Sequence, residues 1–286
     1  MTVCFVTGTD TGVGKTIVTA ALVAILHARQ MNVAVVKPAQ TGVQPGEPGD
    51  IDEVRRLAGP VHAREGIRLP DPLAPERAAL VAGAELPGLH DQRDLILDAV
   101  AGHDAVLAEG AGGVTVSLGK AFGLLDIADQ VRQTSLPVIW IVVARASLGT
   151  LNHSNLTVRA IQDRGFSVRG IVIGSWPVEP GPAELYNRDD LETHTGVPVL
   201  GAVPEGASAL RPSDFQARAQ GWIKIGLLAA RAGRSPAQGL TNPRSRKIEA
   251  NEGLPARTSN PLDHAGRVLG ASPGIARRQG PLSPRA

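Results

Sequence analysis

Nine residues near the N-terminus read Gly8-Thr9-Asp10-Thr11-Gly12-Val13-Gly14-Lys15-Thr16. They follow a short apolar run, residues 3–6, and precede an apolar segment rich in helix formers, residues 17–27. A strand, a glycine-rich turn and a helix that starts near Gly-Lys-Thr form the context in which such a loop binds phosphate. Glycines let the backbone approach closely, and the helix N-terminus adds positive potential. We predict a nucleotide-phosphate site, with Lys15 at the terminal phosphates and the Thr16 hydroxyl on magnesium.

The glycine spacing of this loop departs from the common form. The usual pattern is Gly-x-x-x-x-Gly-Lys-Ser/Thr, whereas five residues separate Gly8 from Gly14. The loop is therefore either one residue longer, or it begins at Thr9 without a glycine. A glycine-rich turn that only connects strand and helix is the alternative interpretation. The Lys15-Thr16 pair and the flanking segments favour phosphate binding over that alternative.

The composition gives the general class of protein. Of the 286 residues, 43% are hydrophobic and 3% aromatic, so we expect a core of Val, Ile, Leu and Ala. No apolar run reaches the length of a bilayer span, and the N-terminus lacks the basic region and cleavage site of a secretion signal. A single cysteine, Cys4, excludes an internal disulfide, and we interpret it as a packing residue. These features predict a cytoplasmic protein that does not associate with membranes.

The positive charge of the chain is concentrated near its C-terminus. Residues 232–286 carry nine Lys/Arg and three Asp/Glu, so the formal charge of +2 for the whole chain becomes −4 for residues 1–231. This tail is rich in Pro, Gly and Arg and has no hydrophobic period, so we predict that it is disordered. A nucleic-acid or membrane-surface arm is the alternative for the tail, but the folded part gives no sign of a nucleic-acid partner.

Predicted strands and helices alternate between residues 1 and 231. Strands are predicted at residues 3–6, 33–38, 104–109, 138–143, 168–173 and 198–203, and helices at 17–27, 50–58, 91–100, 125–133, 150–164, 183–195 and 214–231. Residues 60–90 are interpreted as loops around one short helix, residues 75–82. Continuous apolar strands such as 138–143 are typical of a parallel sheet covered on both faces. We predict a single doubly wound α/β domain over residues 1–231, with a mostly parallel sheet.

Ligands of such sheets bind at the carboxyl ends of the strands, where three charged residues are found. Lys37 follows the second strand and could stabilise a transferring phosphoryl group, although a lysine there is often only a solvated charge. Asp50 starts a helix, where it could be an N-cap, face magnesium, or both. Glu109 closes a strand, as does the magnesium-contacting acid of P-loop proteins. The glycines after Glu109 could approach phosphate or only form a turn.

A second helix N-terminus follows strand 138–143, in the segment Ala146-Ser147-Leu148-Gly149-Thr150-Leu151-Asn152-His153. Free N–H groups at such a position can hold a carboxylate. We assign no chemical role to His153, because a lone histidine is more often structural. The other six histidines show no ligand spacing, and no Cys/His set predicts zinc.

Four motifs together resemble the dethiobiotin synthetase family. They are residues 8–16, Lys37-Pro38-Ala39-Gln40-Thr41-Gly42, Glu109-Gly110-Ala111-Gly112-Gly113 and residues 148–153. The longer phosphate loop is that family's own form, and its fold is that of a P-loop NTPase. Gly174-Ser175-Trp176-Pro177 resembles the actinobacterial branch. The resemblance covers about residues 1–231.

The resemblance implies a reaction in biotin biosynthesis. The family closes the ureido ring of dethiobiotin from 7,8-diaminononanoate (7,8-diaminopelargonate), CO2 and ATP. One amine takes up CO2 as a carbamate, the carbamate attacks the γ-phosphate to give a carbamic–phosphoric anhydride, and the second amine closes the ring and expels phosphate. No protein nucleophile is required, so we expect catalysis by positioning and charge stabilisation.

The resemblance also implies site residues, by their positions in these motifs. Lys15 and Lys37 would be catalytic. Magnesium would be held by Thr16, Asp50 and Glu109, with Asp52 as a neighbour that could be mistaken for Asp50. The nucleotide would contact Gly12, Val13, Gly14, Lys15, Thr16, Ile17, Asp50, Glu109, Gly110, Ala111, Gly112, Gly174, Ser175, Pro204, Glu205 and Gly206. The substrate would contact Thr11, Lys37, Thr41, Leu151 and Asn152.

Two features of this implied site concern specificity and assembly. The family is a homodimer whose diamine site lies at the subunit interface, so Leu151 and Asn152 would come from the partner chain. The family often has Asn where this chain has Gly174-Ser175, which leads us to expect relaxed choice among nucleoside triphosphates.

Two other classes of protein are alternatives to a synthetase. A P-loop switch or partitioning ATPase shares this type of sheet, but typically carries a second lysine near the start of the loop, where this chain has Thr9, Asp10 and Thr11. A binding protein without catalytic activity is supported only by the basic tail.

Overall fold

A computed structural model of the protein describes residues 1–226 and contains a seven-stranded parallel sheet within them. The strands in chain order are β1 (Thr2–Gly8), β2 (Val33–Thr41), β3 (His62–Leu69), β4 (Ala105–Gly113), β5 (Ser117–Gly119), β6 (Phe122–Gly123), β7 (Val138–Ala144), β8 (Ser167–Trp176) and β9 (Val199–Pro204). The sheet has the order β3-β2-β4-β1-β7-β8-β9, and every neighbouring pair is parallel. β5 and β6 form a separate antiparallel pair.

Helices cover both faces of this sheet. They are α1 (Lys15–Ala28), α2 (Asp50–Ala58), α3 (Pro75–Ala82), α4 (Leu89–Val100), α5 (Leu124–Arg132), α6 (Thr150–Asp163), α7 (Pro182–Thr195) and α8 (Pro212–Trp222). One core cluster joins the sheet to α1, α2 and α8, and a second joins it to α4, α5, α6 and α7. The predicted doubly wound α/β fold is confirmed.

Strand β1 lies at the centre of the sheet and contributes to both cores. Its side chains alternate, so Cys4 and Val6 belong to the α1 side, whereas Val3 and Phe5 belong to the opposite side. Phe5 stacks on Trp140 of the neighbouring strand, with 5.0 Å between ring centroids. Strands buried on both faces read as continuous apolar runs, which is why the central strands could be predicted.

The sequence prediction of loops across residues 60–90 was wrong in one part, because β3 occupies residues His62–Leu69. Among the described residues, this strand is at the edge of the sheet and pairs only with β2. Its side chains alternate between exposed and half-buried over most of its length, and three of them are the charged Arg64, Glu65 and Arg68. Charged residues are common on edge strands, where they discourage pairing with other chains. The same composition hides the strand from a search for apolar runs.

Several further boundaries differ from the prediction. β2 and β4 continue to Thr41 and Gly113, so Lys37 and Glu109 lie inside strands rather than at their ends. The small β5–β6 pair was not predicted. The last helix ends at Trp222 instead of continuing to residue 231, because Ile223 leaves the helix and forms an antiparallel bridge with Gly201.

The predicted tail, residues 232–286, lies outside the described residues, so its disorder and the domain boundary near residue 231 stay predictions. Within residues 1–226, no helix is both long and apolar enough to cross a membrane.

Candidate active site

The loop between β1 and α1 is positioned by two neighbouring strands. The N–H of Thr9 donates to the carbonyl of Val143 in β7, with an N–O distance of 2.9 Å. Gly14, immediately before α1, has φ of 95°, which strongly favours glycine. Gly174 in β8 lies directly against the loop, and a Cβ added there would be 1.9 Å from the carbonyl oxygen of Val13. The absence of a side chain at position 174 is therefore required for the loop to pack on β8.

Lys15 is the first residue of α1, and its ammonium points back into the loop. It is 8% exposed, and its Nζ donates to the carbonyl oxygen of Asp10 at 3.0 Å. Burial, assisted by the positive charge of Lys37, lowers the pKa of Lys15 to about 8. The loop thus holds a desolvated lysine whose positive charge is poorly compensated, a suitable partner for an anion.

Lys37 lies between two carboxylates. Its Nζ is 2.5 Å from Oδ2 of Asp50 and 2.8 Å from Oε1 of Glu109, and it also donates to the carbonyl of Gly110 at 3.1 Å. Lys37 and Glu109 are 4% and 1% exposed. Burial alone would lower the pKa of Lys37, but the charges of Glu109 and Asp50 outweigh it and the pKa lies above its usual value. For Asp50, burial would raise the pKa, yet Lys37 holds it below the usual value.

Thr16 completes a set of oxygen ligands beside these lysines. Its hydroxyl donates to Oε1 of Glu109 at 3.1 Å, the same oxygen that accepts from Lys37. One hydroxyl and two carboxylates are hard oxygen donors of the kind that Mg²⁺ prefers, and Mg²⁺ usually takes its other ligands from water and substrate phosphates. Within residues 1–226, no group of three or more His, Cys, Asp or Glu is arranged to hold a metal ion. The donor set fits a magnesium ion bound together with a nucleotide.

The structure distinguishes Asp50 from its neighbour Asp52. The carboxylate of Asp52 accepts the N–H of Gly49 at 2.8 Å and lies 3.5 Å from the guanidinium of Arg68. It therefore stabilises the start of α2, in the way that an acidic residue at the third helical position does. Asp50 pairs with Lys37 instead. Of the two carboxylates, only Asp50 contacts a residue of the candidate site.

A cavity of about 530 Å³ opens beside these groups. The predicted substrate residues Thr11, Lys37 and Thr41 line it, and so do other predicted residues, namely Gly12, Gly14, Lys15, Thr16, Ile17, Asp50, Ala111 and Gly112. The other lining residues were not predicted: Gln40 and the apolar Ala39, Pro72, Leu73, Ala74, Pro75 and Val116. The Pro-Ala composition of residues 72–75 indicated a loop, but no pattern indicated that the loop faces the phosphate-binding loop.

The predicted base-binding residues lie at the ends of β8 and β9. These strands are neighbours, Trp176 pairs with Pro204, and the N–H of Glu205 donates to the carbonyl of Trp176 at 2.7 Å. Ser175, like residues 204–206, is exposed. The structure thus brings the two predicted segments together, outside the lining of the cavity.

The remaining predicted residues, Leu151 and Asn152, are in the first turn of α6 and do not line the cavity. Leu151 is half-buried and Asn152 is exposed. Two leucines near them are unusually accessible: Leu148 is 83% exposed and Leu156 is 59% exposed. Large exposed apolar side chains of this kind mark candidate interaction surfaces.

Comparisons with known proteins identify relatives of this chain. A family model described as an AAA domain matches residues 2–213. A protein called ATP-dependent dethiobiotin synthetase BioD, from Rhodococcus jostii (strain RHA1), is 49% identical over 224 residues, which are 78% of this chain and 95% of that protein. A protein of the same name from Streptomyces avermitilis is 48% identical over 223 residues, 78% of this chain and 92% of that protein.

A solved structure supports the fold. The septum site-determining protein MinD from Pyrococcus horikoshii OT3, complexed with Mg-ADP, matches with a TM-score of 0.50 and 13% identity, over 78% of this chain and 90% of that chain. At this identity the likeness shows the P-loop NTPase fold alone.

Proposed function

Because this chain belongs to the ATP-dependent dethiobiotin synthetase family, whose members are ligases of biotin biosynthesis, we propose that it forms dethiobiotin from 7,8-diaminononanoate, CO2 and ATP. The single observation that carries the proposal is the presence of two buried lysines, Lys15 and Lys37, on one cavity. A phosphate-binding loop requires only the first. The second supplies positive charge for an acceptor bound beside the nucleotide.

The proposed chemistry proceeds by activation of a carbamate. One amine of the substrate attacks CO2 and loses a proton, giving the carbamate. A carbamate oxygen then forms a bond to the γ-phosphorus while the bond from that phosphorus to ADP breaks. The second amine attacks the carbamate carbon of the mixed anhydride, phosphate leaves, and the amine nitrogen loses a proton as the ring closes. The products are dethiobiotin, ADP and phosphate.

The roles of the two lysines follow from their surroundings. Within residues 1–226, the ammonium of Lys15 donates one hydrogen bond, to the carbonyl oxygen of Asp10. Lys15 can therefore exchange that contact for a phosphate oxygen. Lys37, between Asp50 and Glu109, is close enough to the loop to contact both the carbamate and the transferring phosphoryl group. Neither residue forms a covalent bond, so the contribution of both is to hold and neutralise developing charge.

Magnesium is the proposed metal, held by Thr16, Asp50 and Glu109. When bound, it supplies charge neutralisation for the β- and γ-phosphates. The phosphates themselves would be held by the backbone of residues 12–17, with residues 109–112 close by on β4.

The diamine end of the site is proposed to lie at Thr11 and Thr41, which line the cavity. Its apolar wall, residues 72–75 with Val116, suits an aliphatic chain. The carboxylate of the substrate would reach the N-terminus of α6 at Leu151 and Asn152 of a second copy, since those residues lie outside the cavity lining of their own chain. The exposure of Leu148 and Leu156 supports a homodimer formed through this region.

The nucleotide base is proposed to lie near Gly174, Ser175, Pro204, Glu205 and Gly206. We also propose that the site accepts several nucleoside triphosphates. Ser175 offers one hydroxyl, and position 174 has no room for a side chain. Similar competition by several nucleoside triphosphates is expected, and a strong preference for ATP in a competition titration contradicts it.

The proposed compartment is the cytoplasm, and the single free cysteine is consistent with it.

The direct test uses purified full-length protein with the diamine, bicarbonate, magnesium and ATP. We expect phosphate release that depends on the diamine, together with formation of dethiobiotin measured by mass spectrometry. Phosphate release at the same rate without the diamine, and no dethiobiotin, would identify the protein as an ATPase of another kind.

A further inference from the structure

Helix α2 begins at Asp50, and its first N–H groups are satisfied in an unusual way. The N–H groups of the first turn have no partners within a helix. The residue before α2 is Gly49, which has no side chain to serve as a cap. The N–H of Gly49 is accepted by Asp52, from within the helix. The N–H of Asp50 is accepted by Oε1 of Gln40 at 2.9 Å, from a different element, the strand β2.

Gln40 is well placed to hold this contact rigidly. It is 5% exposed, and its Nε2 donates to the carbonyl oxygen of Thr41 at 3.1 Å, so both ends of the amide are engaged. The start of α2 also approaches it closely, since a Cβ added at Gly49 would be 3.2 Å from Oε1 of Gln40. The glycine therefore permits an amide from β2 to act as the cap of α2.

The same strand contacts Asp50 at two points. Gln40 binds the backbone of Asp50, and Lys37, three positions earlier on β2, binds its carboxylate. We propose that Gln40 is a positioning residue that fixes the Asp50 carboxylate at the metal and phosphoryl end of the site. The inference rests on the proposed function, because it takes Asp50 to be a ligand of the nucleotide-bound metal. Outer partners that orient a metal ligand typically change metal affinity by about 10- to 100-fold when removed.

A second buried glutamine provides a matched control. Gln92 in α4 is 1% exposed, and its Nε2 donates to the carbonyl of Pro38 on the same strand at 3.1 Å. Within residues 1–226, its Oε1 has no hydrogen-bond partner. Gln92 therefore has the burial and the bond to β2 that Gln40 has, but not the bond to Asp50. A comparison of the two separates positioning of Asp50 from general support of β2.

The experiment measures Mn²⁺ binding to the full-length protein with ADP and without the diamine, by the electron paramagnetic resonance signal of free Mn²⁺. The variants are Gln40→Met and Gln92→Met, which keep side-chain length and remove the amide. We expect Gln40→Met to weaken Mn²⁺ binding by about 10- to 100-fold and Gln92→Met to leave it within about threefold. Equal losses in both variants, or no loss in Gln40→Met, overturn the proposal.

A third variant covers the case in which Gln40→Met does not fold. Gln40→Glu keeps an acceptor for the N–H of Asp50 and loses only the donor to Thr41, so we expect Mn²⁺ binding at least as tight as in the unmodified protein. A tenfold weaker affinity contradicts the proposal. Kinetics provide a second readout that a purely structural role would not change. Gln40→Met should lower kcat and raise the magnesium concentration that gives half-maximal activity, with the KM of the diamine little changed. If the unmodified protein forms no dethiobiotin but the Mn²⁺ results hold, the proposed reaction fails and the positioning role stands.

Discussion

The ammonium of Lys37 lies 2.5 Å from a carboxylate oxygen of Asp50. It also contacts Glu109, so the lysine neutralises both carboxylates that are proposed to hold magnesium. An ammonium and a divalent cation compete for the same oxygens, because both interact with them mainly by charge. When metal and nucleotide bind, Lys37 would lose its contacts with these carboxylates and could contact the acceptor instead. Metal binding and the position of Lys37 would thus be coupled.

Replacement of Lys37 by Gln should have opposite effects on catalysis and on metal binding. Dethiobiotin formation should fall to background, a loss of roughly 10²- to 10³-fold or more, because the charge that stabilises the transferring phosphoryl group is gone. Mn²⁺ affinity without nucleotide should rise, since Asp50 and Glu109 lose their competing cation. Removal of one partner from a buried ion pair costs about 3–5 kcal/mol, so we expect the free energy of unfolding to fall by about that amount while the circular dichroism spectrum stays native.

Lys120, an exposed lysine between β5 and β6, gives the control for this change. Lys120→Gln removes the same charge from the surface and should alter neither turnover nor Mn²⁺ binding. Normal turnover of Lys37→Gln removes the residue from the catalytic set. Weaker Mn²⁺ binding in that variant shows that the lysine supports the metal site instead of competing for it.

Gly174→Ala should disturb the phosphate-binding loop from a strand two positions away in the sheet. The new methyl group would lie 1.9 Å from the carbonyl oxygen of Val13 and 2.7 Å from a methyl of Val143. Because backbone cannot yield as a flexible side chain does, the loop must shift, at a cost of about 1–3 kcal/mol. We expect weaker ADP binding by isothermal titration calorimetry. Ser167→Ala, at the exposed first position of the same strand, should bind ADP normally, and equal behaviour of the two variants contradicts the steric argument.

The sequence allowed the loop and the lysines to be identified, but not all of their surroundings. Glycine spacing and Lys15-Thr16 are local features, and a continuous apolar run predicts a central strand, so β1 and the loop could be predicted. The edge strand β3 contains three charged residues and a glycine and has no continuous apolar run, so its sequence resembles a loop. The contact of residues 72–75 with the cavity, and the bond from Gln40 to Asp50, join segments that are distant along the chain. Such contacts depend on tertiary packing, which no local pattern encodes.

Asp126 should contribute stability that depends on pH. Its carboxylate accepts the N–H of Gly123 at 2.8 Å, before α5, and pairs with Arg164 at 2.7 Å. Burial would raise the pKa of Asp126, but the Gly123 N–H and Arg164 outweigh it, and the pKa lies below the usual 3.8. A carboxyl with a lowered pKa stabilises the fold above its unfolded pKa, and that contribution is lost as pH falls through the folded pKa.

We expect Asp126→Asn to lower the free energy of unfolding by about 1 kcal/mol at pH 7, an amount typical of a helix cap with a partly exposed ion pair. In urea titrations, the difference from the unmodified protein should shrink as the pH falls below 3.8, the usual pKa of the group. A difference of constant size from neutral to acidic pH shows that the charge of Asp126 is not its source. Activity at pH 7 should be unchanged, because Asp126 is not among the residues that line the cavity.

The proposed homodimer makes a prediction about two variants that each have low activity at low diamine concentration. Lys37→Gln removes a group that acts within its own subunit. Asn152→Asp places a negative charge in the first turn of α6, where it would repel the substrate carboxylate in the site of the other subunit. An aspartate is favourable at a helix N-terminus, so this variant should fold, with a diamine KM raised about tenfold or more.

In a mixed dimer, one site would carry both changes and the other neither. A 1:1 mixture with free exchange of subunits should therefore recover about one quarter of the activity of the unmodified protein, although each variant alone is nearly inactive at low diamine concentration. The measurement is dethiobiotin formation by mixed dimers that carry one affinity tag of each kind and are purified on both, which should recover about one half of the activity of the unmodified dimer because one of their two sites is intact. Tagged dimers of each single variant are the control. Mixed dimers without recovered activity would show that Asn152 acts in its own subunit, because a site shared between subunits must regain one complete copy.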